Sequence, residues 1–186
     1  MFKKRIQDSA LWKFLLLLQR TIMIITSFAI VIIMSLWAIL RYVFHTDMYG
    51  MEEVVVMVAF WLYFMANSYA VYEKSHVKAD ILPSMLNKRH QQLIKPVLYG
   101  LMLIACIIYS IWSFDTVHFS YIEKPTTMAL AIPFWIGHLS ILVGFILSAF
   151  YSGVYFIQSL MEAIKTLKDK NYTSASDSNN EDAFVL

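Results

Sequence analysis

The chain has 186 residues, 59% of them hydrophobic, with a mean hydropathy of +0.60 and a formal net charge of +2. Soluble chains are roughly 45–50% apolar, so these values exclude an ordinary soluble enzyme. So small a net charge says nothing about nucleic acid, and no nucleic-acid partner is expected.

Four long stretches carry no Asp, Glu, Lys or Arg: Thr21 to Leu40, Val54 to Tyr72, Pro96 to Phe114 and Pro125 to Met161. About 20 apolar residues in a helix span the hydrocarbon core of a bilayer. The expected fold class is therefore an all-α integral membrane protein with four transmembrane helices and short interfacial helices. Residues 1–20 form a cytoplasmic or interfacial segment, 21–160 the four-helix domain, and 161–186 a cytoplasmic tail.

In chain order, residues 6–20 are apolar between charges. They read either as an interfacial helix with Trp12 among the headgroups, or as the first turns of the first span. The apolar stretch up to Leu40 is too long for a signal peptide's apolar core, and no small-residue cleavage site follows it, so no cleavable signal is expected. The first span ends on an anchor of Trp37, Arg41 and Tyr42. A short loop then runs to Gly50, a breaker ahead of the second span. That span opens with Met51-Glu52-Glu53, which sets two carboxylates at the positive end of the helix dipole.

The next connection, residues 73–95, is polar but contains Ile81-Leu82-Pro83. It predicts a short surface helix beginning near Pro83, since proline suits a first helical turn. Pro96 is read in the same way, as the start of a third helix ending at Phe114. Residues 125–161 would make a helix of about 55 Å against a core of about 30 Å. Pro133 divides them into an interfacial segment, 125–132, and a fourth helix, 133–160. The Ser-, Asn- and Asp-rich end of the chain, especially Asn171 to Asn180, predicts disorder.

The basic residues alternate in density. Segments 1–20 and 73–95 hold five each, the tail holds Lys165, Lys168 and Lys170, and the two remaining connections hold only Arg41 and Lys124. By the positive-inside rule, both termini and the middle loop face the cytoplasm.

Charges near mid-bilayer cost at least about 2.5–3.5 kcal/mol and mark ion or proton paths. None is placed there, which argues against a stand-alone pump or carrier. In the fourth span Ser140, Gly144, Ser148 and Ser152 recur every four residues. Small residues in such a stripe let another helix approach closely. The stripe is either a face for a partner subunit or a packing face within the four-helix unit. Asn67 and Ser68 are uncharged polar groups suited to bonds across helices. Arg41 lies one short loop away from Glu52 and Glu53, so a salt bridge or a docking patch is open there. His118 and His138 fall at similar depth, so they are a candidate haem pair, against the plainer reading of interfacial hydrogen bonding. Cys106 is the sole cysteine, so no intrachain disulfide forms; it reads as a small packing residue.

Arg41-Tyr42-Val43-Phe44, Glu52-Glu53, Trp61, Ser75-His76-Val77-Lys78-Ala79-Asp80, Leu82-Pro83 and Ile132-Pro133-Phe134-Trp135 occur in an order and spacing that resemble one family. It is the small membrane subunit, the DctQ-like or Q component, of TRAP (tripartite ATP-independent periplasmic) transporters. The resemblance covers roughly residues 20–160. The chain departs from the family's pattern at Ala66-Asn67, where a Gly-Ala pair is common, and at Ser140 to Gly144, where a second proline is common.

The resemblance implies a non-enzymatic scaffold in the bacterial inner membrane, paired with a large elevator-type permease that holds the substrate and Na+ sites. This chain itself then needs no cofactor. A periplasmic binding protein delivers an organic acid, such as a C4-dicarboxylate or the sialic acid N-acetylneuraminate, and a sodium gradient drives its uptake. Ser140, Gly144, Ser148, Ser152 and Trp61 become candidates for contact with the large subunit. Arg41, Glu52, Glu53, Asp115, Glu123 and Lys124 become candidates for contact with the binding protein. The competing readings are a haem-binding redox subunit using His118 and His138, an autonomous small exporter, and a structural subunit of another membrane complex.

Overall fold

The computed structural model describes residues 10–46, 48–73 and 88–168. It contains four helices: α1 (Ala10–Tyr42), α2 (Met51–Tyr72), α3 (Lys88–Glu123) and α4 (Trp135–Lys168). All four are long and apolar enough to cross a membrane. Among the described residues there is no strand, only one isolated antiparallel bridge between Thr126 and Pro133. The expected surface helix near Pro83 and the expected disorder of 171–180 lie outside the described residues.

Several expected boundaries move. Residues 10–20 hold no Gly or Pro, so nothing stops α1 from running through them as one helix of 33 residues. Trp12 therefore faces inward. It is 2% exposed, packed edge-on to Tyr72 and Tyr151. The boundary expected at residue 20 falls inside α1, and the one expected at 160 falls inside α4.

Pro96 does not start α3. The helix begins at Lys88, carries Pro96 inside it, and passes Phe114 to reach Glu123. Proline removes one backbone bond, but the long apolar run on its C-terminal side continues the helix. What ends α3 is Lys124, in a left-handed conformation (φ 48°) directly before Pro125. A residue before proline is disfavoured in the α region. Residues 125–132 form a tight loop that returns to Pro133, and the fourth helix starts two residues later than expected.

In space the helices lie in the order α1, α2, α4, α3. α4 packs against both α3 and α2, and α1 packs against α2. The chain's two described ends, the start of α1 and the finish of α4, share one end of the unit, here the terminal end. The loops 43–50 and 124–134 share the opposite, loop end.

α4 owes its central place to its small residues. Ser140, Ser148 and Ser152 are wholly buried, and Gly144 is buried beside them. A Cβ at Gly144 would meet both the Cβ and the carbonyl oxygen of Phe64 at 2.8 Å. The serine hydroxyls donate to backbone carbonyls within α4, Ser140 to Gly137 (2.7 Å), Ser148 to Gly144 (2.8 Å) and Ser152 to Ala149 (3.2 Å). The stripe thus buries no unsatisfied hydroxyl. Rings fill the space around the contact: Phe145 packs on Phe64 (5.8 Å) and on Tyr109 of α3 (5.1 Å).

The terminal end is held differently, by polar bonds. Gln19 of α1 is 1% exposed, donates to Ser68 of α2 (2.7 Å) and accepts from the Tyr151 hydroxyl of α4 (3.0 Å). Ser68 in turn donates to the Met65 carbonyl (2.9 Å). Tyr155 donates to the Tyr72 carbonyl (2.7 Å), one of the carbonyls in the last turn of α2 that have no partner within the helix. Trp12, Val71, Tyr99, Tyr151 and Tyr155 form the apolar cluster around these bonds.

Gly144→Ala is expected to lower stability by about 1–3 kcal/mol, because the blocking atoms include backbone and the helices must part. Gly153→Ala, whose Cβ would sit at 3.7 Å from Leu103, is expected to be neutral or better. Thermal unfolding of both variants in one detergent compares them.

Candidate functional site

The loop end contains the most built feature outside the core. Gly50 caps α2 in a left-handed conformation (φ 82°), and a Cβ there would lie 2.6 Å from Leu130. Glycine is thus required twice at one position, by the turn and by the close approach of the 124–134 loop.

That loop is closed by its own bonds. Thr127 N–H donates to the Ile132 carbonyl, Ile132 N–H to the Thr127 hydroxyl, and Phe134 N–H to the Pro125 carbonyl, each at 3.0 Å. Ala131 (φ 53°) supplies the reversal. The turn leaves two successive N–H groups pointing the same way, a small anion nest. Glu53 fills it, accepting from Ala129 (2.7 Å) and Leu130 (2.9 Å) on its two carboxylate oxygens. Each is a charge-assisted bond, the stronger class of hydrogen bond.

Glu53 is therefore used inside the chain. The alternative salt bridge to Arg41 is not what occupies it, and Glu53 is less available to a protein partner than its sequence neighbour. Glu52 is exposed one residue earlier. The two carboxylates, with Val56, Met57, Thr126, Thr127, Met128 and Phe134, line an open cleft of about 350 Å³. Met128 at its rim is fully exposed.

The other residues expected to face a binding protein are spread around this end. Arg41, Asp115, Glu123 and Lys124 are all exposed. Asp115 lies eight residues before Glu123 on α3, about 12 Å along the helix. Of the six candidates, Glu52 and Glu53 share a cleft.

Of the two readings of the small-residue stripe, the structure matches packing within the unit. Ser140, Gly144, Ser148 and Ser152 are buried between α4 and its own neighbours, so they form a packing face within the unit and offer no surface to a partner. Trp61 is half-buried on α2. The apolar surface left open lies elsewhere. On α2, Val56, Ala59, Phe60, Tyr63 and Phe64 line an apolar groove of about 390 Å³, with Tyr63 70% exposed. The sequence signal was present, a run of residues at spacings of three and four, but every helix here is apolar on all sides. The buried face is therefore not marked by polarity.

The two histidines do not converge. His138 Nδ1 is 2.6 Å from the Ser120 hydroxyl, and its ring stacks on Phe134. His118 stacks on Phe114 and is exposed. Ser120 faces His138, and His118, two residues away, is carried about 200° round α3 from it. The plainer reading of His138, an interfacial hydrogen bond, matches this geometry. Among the described residues no three His, Cys, Asp or Glu side chains gather as a metal site.

The family model for tripartite ATP-independent periplasmic transporters, DctQ component, matches residues 17–164. No curated protein matches the chain.

Glu53→Gln keeps the side chain's size and removes the charge from the nest. Amide hydrogen exchange at Ala129 and Leu130 is expected to speed up severalfold, with exchange in α4 unchanged. Equal protection in both proteins would mean the carboxylate does not hold the loop.

Proposed function

The chain belongs to the DctQ-component family of tripartite ATP-independent periplasmic transporters, and from that premise we propose that it is the static brace of the large permease. The family is a transport component and not an enzyme. Membership, with four apolar helices, makes the chain a multi-pass inner-membrane protein, and it implies association with a large permease and a periplasmic binding protein.

The observation that carries the scaffold reading is the placement of charge. Every Asp, Glu, Lys and Arg lies outside the four stretches 21–40, 54–72, 96–114 and 125–161. A subunit that moved ions or a carboxylate through itself would need polar or charged groups along that path. In this reading the large subunit carries the substrate and Na+ sites, and this chain widens the fixed body against which the moving part slides. A binding protein delivers a carboxylated solute, with C4-dicarboxylates and N-acetylneuraminate as the first to try, and a sodium gradient supplies the energy.

The density of basic residues in 1–20, 73–95 and the tail supports an orientation with both termini in the cytoplasm. The loop end, with Glu52 and its cleft, then faces the periplasm, where a binding protein docks. The groove on α2 and the exposed face of α3 are the surfaces open to the large subunit.

Reconstitution tests this. Vesicles holding this chain and its large partner, given the binding protein and an inward sodium gradient, are expected to take up labelled solute. Omitting this chain is expected to abolish uptake, and full uptake by the large subunit alone would overturn the scaffold reading. Glu52→Lys is expected to slow uptake severalfold at equal expression. An unchanged rate would discard Glu52 as a docking residue.

A further inference from the structure

Arg20 is a cation held by a neutral partner. Arg20 is exposed on α1 and donates through Nε and Nη2 to a single acceptor, the Tyr69 hydroxyl of α2 (3.1 and 2.9 Å). Its guanidinium also lies 5.5 Å from the centre of the Tyr69 ring. Among the described residues no carboxylate pairs with it. The tyrosine fixes the direction of the guanidinium but does not neutralise it.

The position of Arg20 gives its setting. Residues 21–40 carry no charge, and Arg41 is the next ion along α1. Arg20 and Arg41 are 21 residues apart, about 32 Å, close to the thickness of the hydrocarbon core. Arg20 therefore sits at the headgroup boundary. The helix face it belongs to continues both ways at spacings of three and four, which places residues on one side of a helix. Lys13 and Leu17 precede it, and Ile24 and Phe28 follow it. Lys13 is exposed, and the other three are 65%, 57% and 65% exposed. In sequence along the membrane normal, this face presents two cations and then a strip of apolar side chains. That is the pattern of a phospholipid, with an anionic head and an acyl chain.

We propose that this face of α1 is a binding site for an anionic phospholipid. The lipid phosphate sits on Arg20, oriented by Tyr69 and approached by Lys13, and one acyl chain lies along Ile24 and Phe28. The charge complementarity decides for a lipid over a protein helix. A partner helix laid here would have to bring its own carboxylate to the headgroup depth, whereas an anionic lipid brings the phosphate, at that depth, with the chain attached. Basic residues beside spanning helices recognise anionic headgroups in this way. The inference does not rest on the transport reading or on which leaflet holds this end.

Native mass spectrometry of the full chain, purified with whatever large subunit accompanies it, tests the site. Phosphatidylglycerol and phosphatidylcholine are added as matched probes of equal chain length. Retention of phosphatidylglycerol over phosphatidylcholine is expected. R20A should lower that preference about fivefold, the effect of one basic residue near a charged lipid surface, while R41A at the opposite end should leave it intact. Excess inorganic phosphate should not displace the lipid; displacement would mean the site takes free phosphate instead. Equal retention of the two lipids by the wild-type protein overturns the proposal, and so does an undiminished preference in R20A. A chemical cross-link from Lys13 to the large subunit at full yield would also overturn it, since that face would then be covered by protein. Should R20A not reach the membrane, K13Q and the wild-type lipid comparison still decide.

Discussion

The close approach of α4 to α2 at Gly144 is the constraint around which the rest is arranged. Lipid tails are as apolar as the side chains they touch, so hydrophobicity cannot choose which helix faces meet. Contact has to come from backbones that can come near each other and from polar groups that find partners. Gly144 against the Phe64 backbone supplies the first, and the flanking serines supply small surface with no unsatisfied hydroxyl. With α2 seated on one side of α4 and α3 on the other, the order of the unit is set.

α1 joins this body by a different device. It packs mainly on α2, and its apolar face is almost wholly uncovered. Its attachment is concentrated at the terminal end, where Gln19 bridges Ser68 and Tyr151 and Trp12 enters the aromatic cluster. A buried amide bonded on both of its ends resists both sliding and rotation, because either motion strands polar groups in a low-dielectric setting. The result is a unit packed about α4, with broad apolar faces of α1 and α3 left open.

The loop end shows how a helix terminus can organise a separate segment. The two carboxylates opening α2 read from sequence as a response to the helix dipole, and both do occupy the first turn. Glu53 does more, since its two oxygens take two loop N–H groups and so tie α3 and α4's connection onto the start of α2. Gly50 makes room for that tie. Glu52, one position earlier, remains turned outward. Two adjacent identical residues thus have different roles, and side-chain direction alone divides them.

The sequence by itself determined the class of the molecule, the number of spans and the uncharged character of each span. Those properties are sums over runs of residues, set by transfer of side chains and backbone into hydrocarbon, and they do not depend on which neighbour each residue meets. The family was legible for a different reason, the order and spacing of short motifs such as Arg41 to Phe44 and Ile132 to Trp135. The sequence also singled out the Ser140 to Ser152 stripe and Ser68 as packing groups, while leaving open whom they pack against. Helix limits at residue 20, Pro96 and residue 160 were less legible: an interfacial segment and a helix extension have the same composition, and a proline is tolerated inside a helix as well as at its start. Only the tertiary structure decided that the small-residue stripe turns inward, that Glu53 closes a loop instead of pairing with Arg41, that His118 and His138 point apart, and that Arg20 meets the Tyr69 hydroxyl. Each of these is a question of direction and distance between residues far apart in the chain, and a one-dimensional pattern that is apolar on every side carries no signal for it.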